Sequence, residues 1–389
     1  MTSNKLGAIV LSAVVFGANA AEPDVADVAR LKSNFQHRLF TSRFQDGAFS
    51  IYDADEGRLE GSIPAGYVAN LAVAPDHSQF LVAETYWSHG SRGKRDDLIA
   101  IWDAQTLELK REIPLPSRAL IGDKIQTFQL NSDGSRAFVY VFNPASAVAW
   151  VDLKKQALGG VIEIPGCASI YPFGTAGFSS LCVDGSLATV DLSGKGKPKL
   201  THTAAFFDAA TDPVFDNGYV DAAAGKALFL SYTGLVYEAE LGSAPTIELP
   251  WSIQQAAGFA PAGTGVQELA WRPGGAQVFA YQKSTGRLFV LMHVGTHWTH
   301  KQGGTEVWVL DSRKRALLAR FPLQNIPTSG LASEHAPYYC GIAVSSDAEN
   351  PQIYLVADAG GGAVMDANSG AILRKIESAG GKTVLVAGN

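Results

Sequence analysis

From about Arg38 onward, short apolar runs with the two-residue alternation of half-buried strands are separated by polar turns. One unit recurs seven times. An apolar strand closes on an acidic residue, a turn follows, and a second strand often ends in Pro. The copies are FSIYDADEGRLEGSIP from Phe49, IAIWDAQTLELKREIP from Ile99, VAWVDLKKQALGGVIEIP from Val148, SLATVDLSGKGKPKL from Ser186, GLVYEAELGSAPTIELP from Gly234, EVWVLDSRKRALLARFPL from Glu306 and GGAVMDANSGAILRKIE from Gly361. The acidic positions are Asp53, Asp103, Asp152, Asp191, Glu238, Asp311 and Asp366, spaced 50, 49, 39, 47, 73 and 55 apart. A period near 50 in a strand-rich chain predicts an all-β, seven-bladed β-propeller with four antiparallel strands per blade.

Blade two separates into NLAVAPD, QFLVAETYW, DLIAIWD and LELKREIP. Its turn Pro75-Asp76-His77-Ser78 has counterparts at Asn131–Gly134 and Ser345–Ala348, where Asp or Asn can bond the backbone. The wide interval before Asp311 holds two insertions, Pro250–Gly265 with a short helix expected, and His293–Gly304. Long insertions on a rigid β scaffold are where binding sites tend to be built. The C-terminal KTVLVAG is expected to pair with N-terminal strands and close the ring. Before the blades, residues 23–36 show helical spacing through Val25, Val28 and Leu31, so 21–37 reads as an N-terminal helical arm.

The first twenty residues read as a signal peptide. Lys5 is their only charge, an apolar stretch runs from Leu6 to Gly17, and Ala18-Asn19-Ala20 is a cleavage signal. The stretch is shorter than the ~20 apolar residues a membrane span needs. A secreted protein, outside the cytoplasm and with no membrane partner, is therefore expected. Net charge is −6, which argues against a nucleic-acid partner. Of three cysteines, Cys167 and Cys182 flank what looks like a hairpin, and Cys340 is left over. An oxidising compartment permits a bridge between the first two, stabilising by about 3 kcal/mol; two buried thiols are the alternative.

Candidate chemistry is sparse. His293, His297 and His300 have spacing that suits zinc or copper, but no Cys or carboxylate lies close by in sequence to complete a site, so no metal is assigned. Arg92-Gly93-Lys94-Arg95-Asp96-Asp97 is a charged loop suited to docking, or a solvated hairpin with internal ion pairs. Trp271-Arg272-Pro273-Gly274-Gly275 is an interface anchor, or a turn that packs Trp into the core. Dinucleotide, P-loop, serine-hydrolase, metalloprotease and haem motifs are missing, so no catalytic residue is assigned to this chain.

Five segments together resemble one family. RGKRDDLIAIWDA from Arg92, FNPASAVAWVDL from Phe142, CASIYPFGTAGFSSLCVDGSLATVDL from Cys167, WRPGG from Trp271 and WTHKQGGTEVWVLD from Trp298 are similar to the heavy subunit of the quinoprotein methylamine and aromatic amine dehydrogenases. The resemblance implies a propeller subunit that binds no cofactor itself. Its partner would be a small, disulfide-rich light subunit carrying tryptophan tryptophylquinone, in a heterotetramer of two heavy and two light chains. The complex would convert a primary amine to aldehyde and ammonia and pass electrons to a blue-copper protein. The resemblance further implies a Cys167–Cys182 disulfide and an aromatic side chain, Phe44 or Phe40, in the substrate channel. Arg92, Lys94, Arg95, Trp271, Arg272, Trp298 and His300 become candidates for the subunit interface. The competing readings are a secreted propeller that binds a ligand or protein without redox chemistry, and a metal-dependent hydrolase or lactonase using the histidine loop.

Overall fold

The computed structural model describes residues 30–42, 47–117, 119, 124–142, 145–194, 196–323, 339–358 and 361–386. They form seven antiparallel sheets, each ordered from an inner first strand to an outer fourth strand. Blade two is the plainest example: Tyr67–Val73, Gln79–His89, Arg92–Asp103 and Leu109–Pro114. Blade one takes its innermost strand from the C-terminal Val384–Val386, which pairs antiparallel with Arg38–Thr41. The ring closes as the sequence predicts, and the closing strand covers the inner edge of Arg38–Thr41.

The blades pack face to face, so their middle strands are buried on both sides. This explains the near-continuous apolar runs. In blade two, Leu81 and Ala83 pack toward blade three, while Phe80 and Val82 pack toward blade one. In blade three, Val139 and Val141 face blade two, while Phe138 and Tyr140 face blade four. Period-two geometry sends neighbouring residues to opposite faces. Seven apolar clusters result, one between each pair of neighbouring blades.

The recurring acidic residue has a local cause. Asp53, Asp103, Asp152, Asp191, Asp311 and Asp366 end third strands, and each Oδ1 accepts N–H bonds from the turn that follows. For Asp103 the donors are Gln105 and Thr106, both at 2.9 Å. Backbone hydrogen bonds, Thr106 foremost, hold its carboxyl below the ordinary value. Asp76, Asp133 and Asp347 cap the turns between first and second strands in the same way. Glu238 differs. It sits inside its strand and accepts from Trp251 Nε1 at 3.0 Å, where the fourth strand of blade five is broken into Thr246–Ile247 and Trp251–Ser252.

Buried amides tie the inner strands together. Asn70 donates to the Lys124 carbonyl at 2.7 Å, Asn217 accepts from Ile125 N at 2.8 Å and donates to Ala276 O at 2.8 Å, and Gln126 donates to Gly218 O. Gln277 donates to Ile342 and Val384 and accepts from Val384 N, so it grips the closing strand directly. First strands of all seven blades surround a central channel of about 400 Å³, whose lining includes Leu71, Gln126, Pro172, Asn217, Phe279 and Leu385.

The described end of the arm, from Arg30, departs from the helical expectation. Signal segment and most of the arm lie outside the described residues. Arg30–Asn34 is not helical, and a single 3-10 turn, Phe35–His37, follows. Tertiary bonds outweigh the helical pattern: Leu31 N donates to Gln105 O at 3.0 Å, and Ser33 bonds Glu60 through both N and Oγ.

Candidate functional site: the insertion end of the ring

Antiparallel connectivity gives the ring two unlike ends. One end carries the turns between first and second strands and between third and fourth, and there the Asp caps are short and regular. The other carries the second-to-third turns and the crossings to the next blade. Every long insertion among the described residues lies there: the extended hairpin of blade two, the segment 203–218, the segment 253–269 and the loop 296–305.

Between blades five and six this end is firmly built. The expected short helix is one turn, Ile253–Ala256, capped by Ser252 Oγ, which accepts from Gln255 N. Arg272 leaves first-strand position inward and is 1% exposed. Its guanidinium donates to the carbonyls of Gly295 at 3.1 Å, Gly263 at 2.8 Å and Glu268 at 3.4 Å. The expectation of an interface side chain is corrected here. Arg272 is an internal clamp because three backbone carbonyls, two from the insertion and one from the neighbouring strand, converge on it. Trp271 is half-buried against Trp308 and lies under the Arg320 guanidinium, 4.7 Å from its ring. Arg320 is held by Glu306 through two bonds of 2.7 and 2.8 Å.

The three histidines do not converge. His293 is buried and its Nε2 meets Thr299 Oγ1 at 2.7 Å; burial first, then nearby Arg272, lowers its pKa to about 4, so it is neutral at pH 7. His297 is also buried and lies against Trp298 at 4.4 Å between ring centres. His300 stacks on Tyr232 at 4.0 Å. Among the described residues the one group with three metal-donor atoms within 4.8 Å is elsewhere, at Cys167, Cys182 and His202. The loop instead presents Trp298, 50% exposed, beside exposed Val294, with Val266 and Leu269 exposed on the neighbouring insertion.

The other candidates lie in blades one and two. Arg92 and Lys94 are exposed at the hairpin tip. Arg95 is half-buried, donates to Asp97 Oδ2 at 2.7 Å and lies over Trp87. The Lys94–Asp96 pair at 3.0 Å is exposed and adds little stability. Phe40 is 1% exposed and edge-on to Phe80 at 4.9 Å, so it has no free ring face to line a channel; Phe44 lies outside the described residues. Sequence reading missed Glu84. This buried carboxyl accepts from Gly66 N at 2.6 Å and from Tyr86 OH at 3.0 Å, and burial pushes its pKa up to about 7. One acidic residue within an apolar strand was the available signal. The Cys167–Cys182 disulfide is present, joining cross-strand partners of blade four, and Cys340 is a half-buried free thiol.

The profile of the methylamine dehydrogenase heavy chain family matches residues 41–388. This chain belongs to that family. Relatives include the methylamine dehydrogenase heavy chain of Methylobacillus flagellatus, 30% identical over 78% of this chain and 72% of the relative, and that of Paracoccus versutus, 29% identical over 85% and 73%. Among solved structures, dihydro-heme d1 dehydrogenase NirN superposes with a TM-score of 0.54 at 13% identity, covering 94% of this chain and 78% of that one. The Myceliophteria thermophila Cps50 (Swd1) propeller domain reaches 0.56 at 10%, covering 86% and 93%. At such identities the structural likeness carries the fold alone. Membership in a heavy-chain family implies a light-subunit partner and places this chain in an amine dehydrogenase.

Proposed function

We propose that this chain is the exported heavy subunit of a periplasmic, tryptophan tryptophylquinone-dependent amine dehydrogenase. Its light partner carries the quinone and catalyses oxidation of a primary amine to aldehyde and ammonia, with electrons passing to a blue-copper protein. This chain holds that partner and walls the amine channel, where excluding water strengthens electrostatic interactions around the reacting centre. The family match over 41–388 is the observation that carries the reading. The light subunit's seat in this proposal is the insertion end of blades five and six. Trp298, Leu269, Val266 and Val294 are exposed there together, and buried apolar anchors dominate binding energy. Arg92 and Lys94 on the hairpin of blade two add charge to the same end.

Co-expression with a small, exported, cysteine-rich chain tests the reading. The expected result is a stable complex with quinone absorbance that weakens at least tenfold on Trp298→Glu. Failure of any such chain to bind contradicts the heavy-subunit reading. Unchanged binding by Trp298→Glu contradicts only the proposed seat.

A further inference from the structure

Blade four holds chemistry that the amine dehydrogenase reading does not use. Cys167 begins its first strand and Cys182 ends the second, directly opposite. His202 ends the fourth strand. Its Nδ1 lies 4.0 Å from Cys182 Sγ and 3.1 Å from Ser186 Oγ. Ser186 Oγ in turn donates to Asp184 Oδ1 at 2.6 Å. Both sulfurs and the imidazole nitrogen fall within 4.8 Å of one another. The cysteines are buried and His202 is exposed, so the cluster is reached from the His202 side.

We propose that reduction of this disulfide turns Cys167, Cys182 and His202 into a binding site for a soft divalent cation such as Zn²⁺. Two thiolates and an imidazole are the donors such ions select. Bonds of about 2.3 Å to sulfur and about 2.0 Å to nitrogen set tetrahedral donors roughly 3.5 Å apart, close to the spacing already present between His202 and Cys182. A phosphine reductant supplies two electrons, the S–S bond breaks, and two thiols form while the phosphine becomes its oxide with oxygen from water. The cation then replaces the two thiol protons. Two metal–sulfur bonds and one metal–nitrogen bond form, and water completes the coordination. His202 binds through Nδ1, which gives up the proton it donates to Ser186 Oγ, and the neutral ring carries its proton on Nε2 instead. A disulfide oxidant takes the two electrons back, remakes the bridge and releases the ion. Bridge and cation are thus alternative occupants of one cluster, and the ion competes with oxidation wherever the chain is still reduced.

The test uses the full chain in a Cys340→Ser background, reduced anaerobically with a phosphine and titrated with Zn²⁺ against a chromophoric chelator. The expected result is one ion per reduced chain, none on the oxidised chain, two protons released per ion, and at least tenfold weaker binding by His202→Ala. Equal uptake by the oxidised chain overturns the proposal. So does no uptake by the reduced chain, or unchanged affinity in His202→Ala. Loss of the sheet circular-dichroism signal on reduction that Zn²⁺ does not restore also overturns it.

Discussion

Burial moves Glu84 and His293 in opposite directions on the pH scale. The folded pKa of Glu84 is raised from 4.5 to about 7. Its stabilising contribution is full below pH 4.5 and lost as pH rises through about 7, a swing on the order of 3 kcal/mol at most. His293 is lowered from 6.5 to about 4 by burial, so its contribution is present above pH 6.5 and lost as pH falls. The two oppose each other between about 4.5 and 6.5, and the difference between wild type and Glu84→Gln isolates the carboxyl. Urea midpoints at pH 5 and pH 8 are expected to show wild type losing stability relative to Glu84→Gln as pH rises. A constant difference would exclude the assignment. Arg272 makes a second residue-scale case. Arg272→Ala removes the donor to the carbonyls of Gly263, Glu268 and Gly295 and is expected to cost about 2–4 kcal/mol, with Arg272→Lys giving little rescue because Lys lacks the planar fork. Midpoints within 0.5 kcal/mol of wild type would contradict the clamp. Glu84 and Arg272 were hard to read beforehand for a common reason. Their partners are backbone groups of segments brought close only by the fold.

At the scale of strands and turns much was legible. Six of the seven recurring acidic residues are turn caps, so a local hydrogen bond generates the period that revealed the blades. Glu238 kept the rhythm for another reason, bonding Trp251 across a broken strand. The amides Asn70, Gln126, Asn217 and Gln277 were invisible because each serves a different register of a short first strand and no period links them. In the described part of the arm, helical spacing at Leu31 meets a tertiary bond to Gln105, which holds residues 30–34 out of a helix. The Cys167–Cys182 bridge closes a separation of 15 residues, and its removal by Cys167→Ser with Cys182→Ser is expected to lower stability by about 3 kcal/mol on chain-entropy grounds. Thermal denaturation checks this; no loss would mean that the blade hairpin already orders the unfolded chain.

For the whole molecule, closure and the contrast between its two ends matter most. Gln277 and Arg38–Thr41 both grip the closing strand, so a chain ending at Gly381 loses the inner strand of blade one. It is expected to expose the inner edge of Arg38–Thr41 and aggregate on size exclusion, whereas a monodisperse product would show closure to be dispensable. The end with tight caps offers few features for a partner, while the insertion end carries exposed apolar side chains on a rigid base. Function was legible only through resemblance, because a propeller specifies no chemistry and the reactive group is proposed to belong to another chain. The most direct test measures amine-dependent dye reduction by this purified chain alone, by its small partner alone, and by the two recombined. The account predicts turnover with the partner and none from this chain by itself; amine oxidation by this chain alone would contradict it.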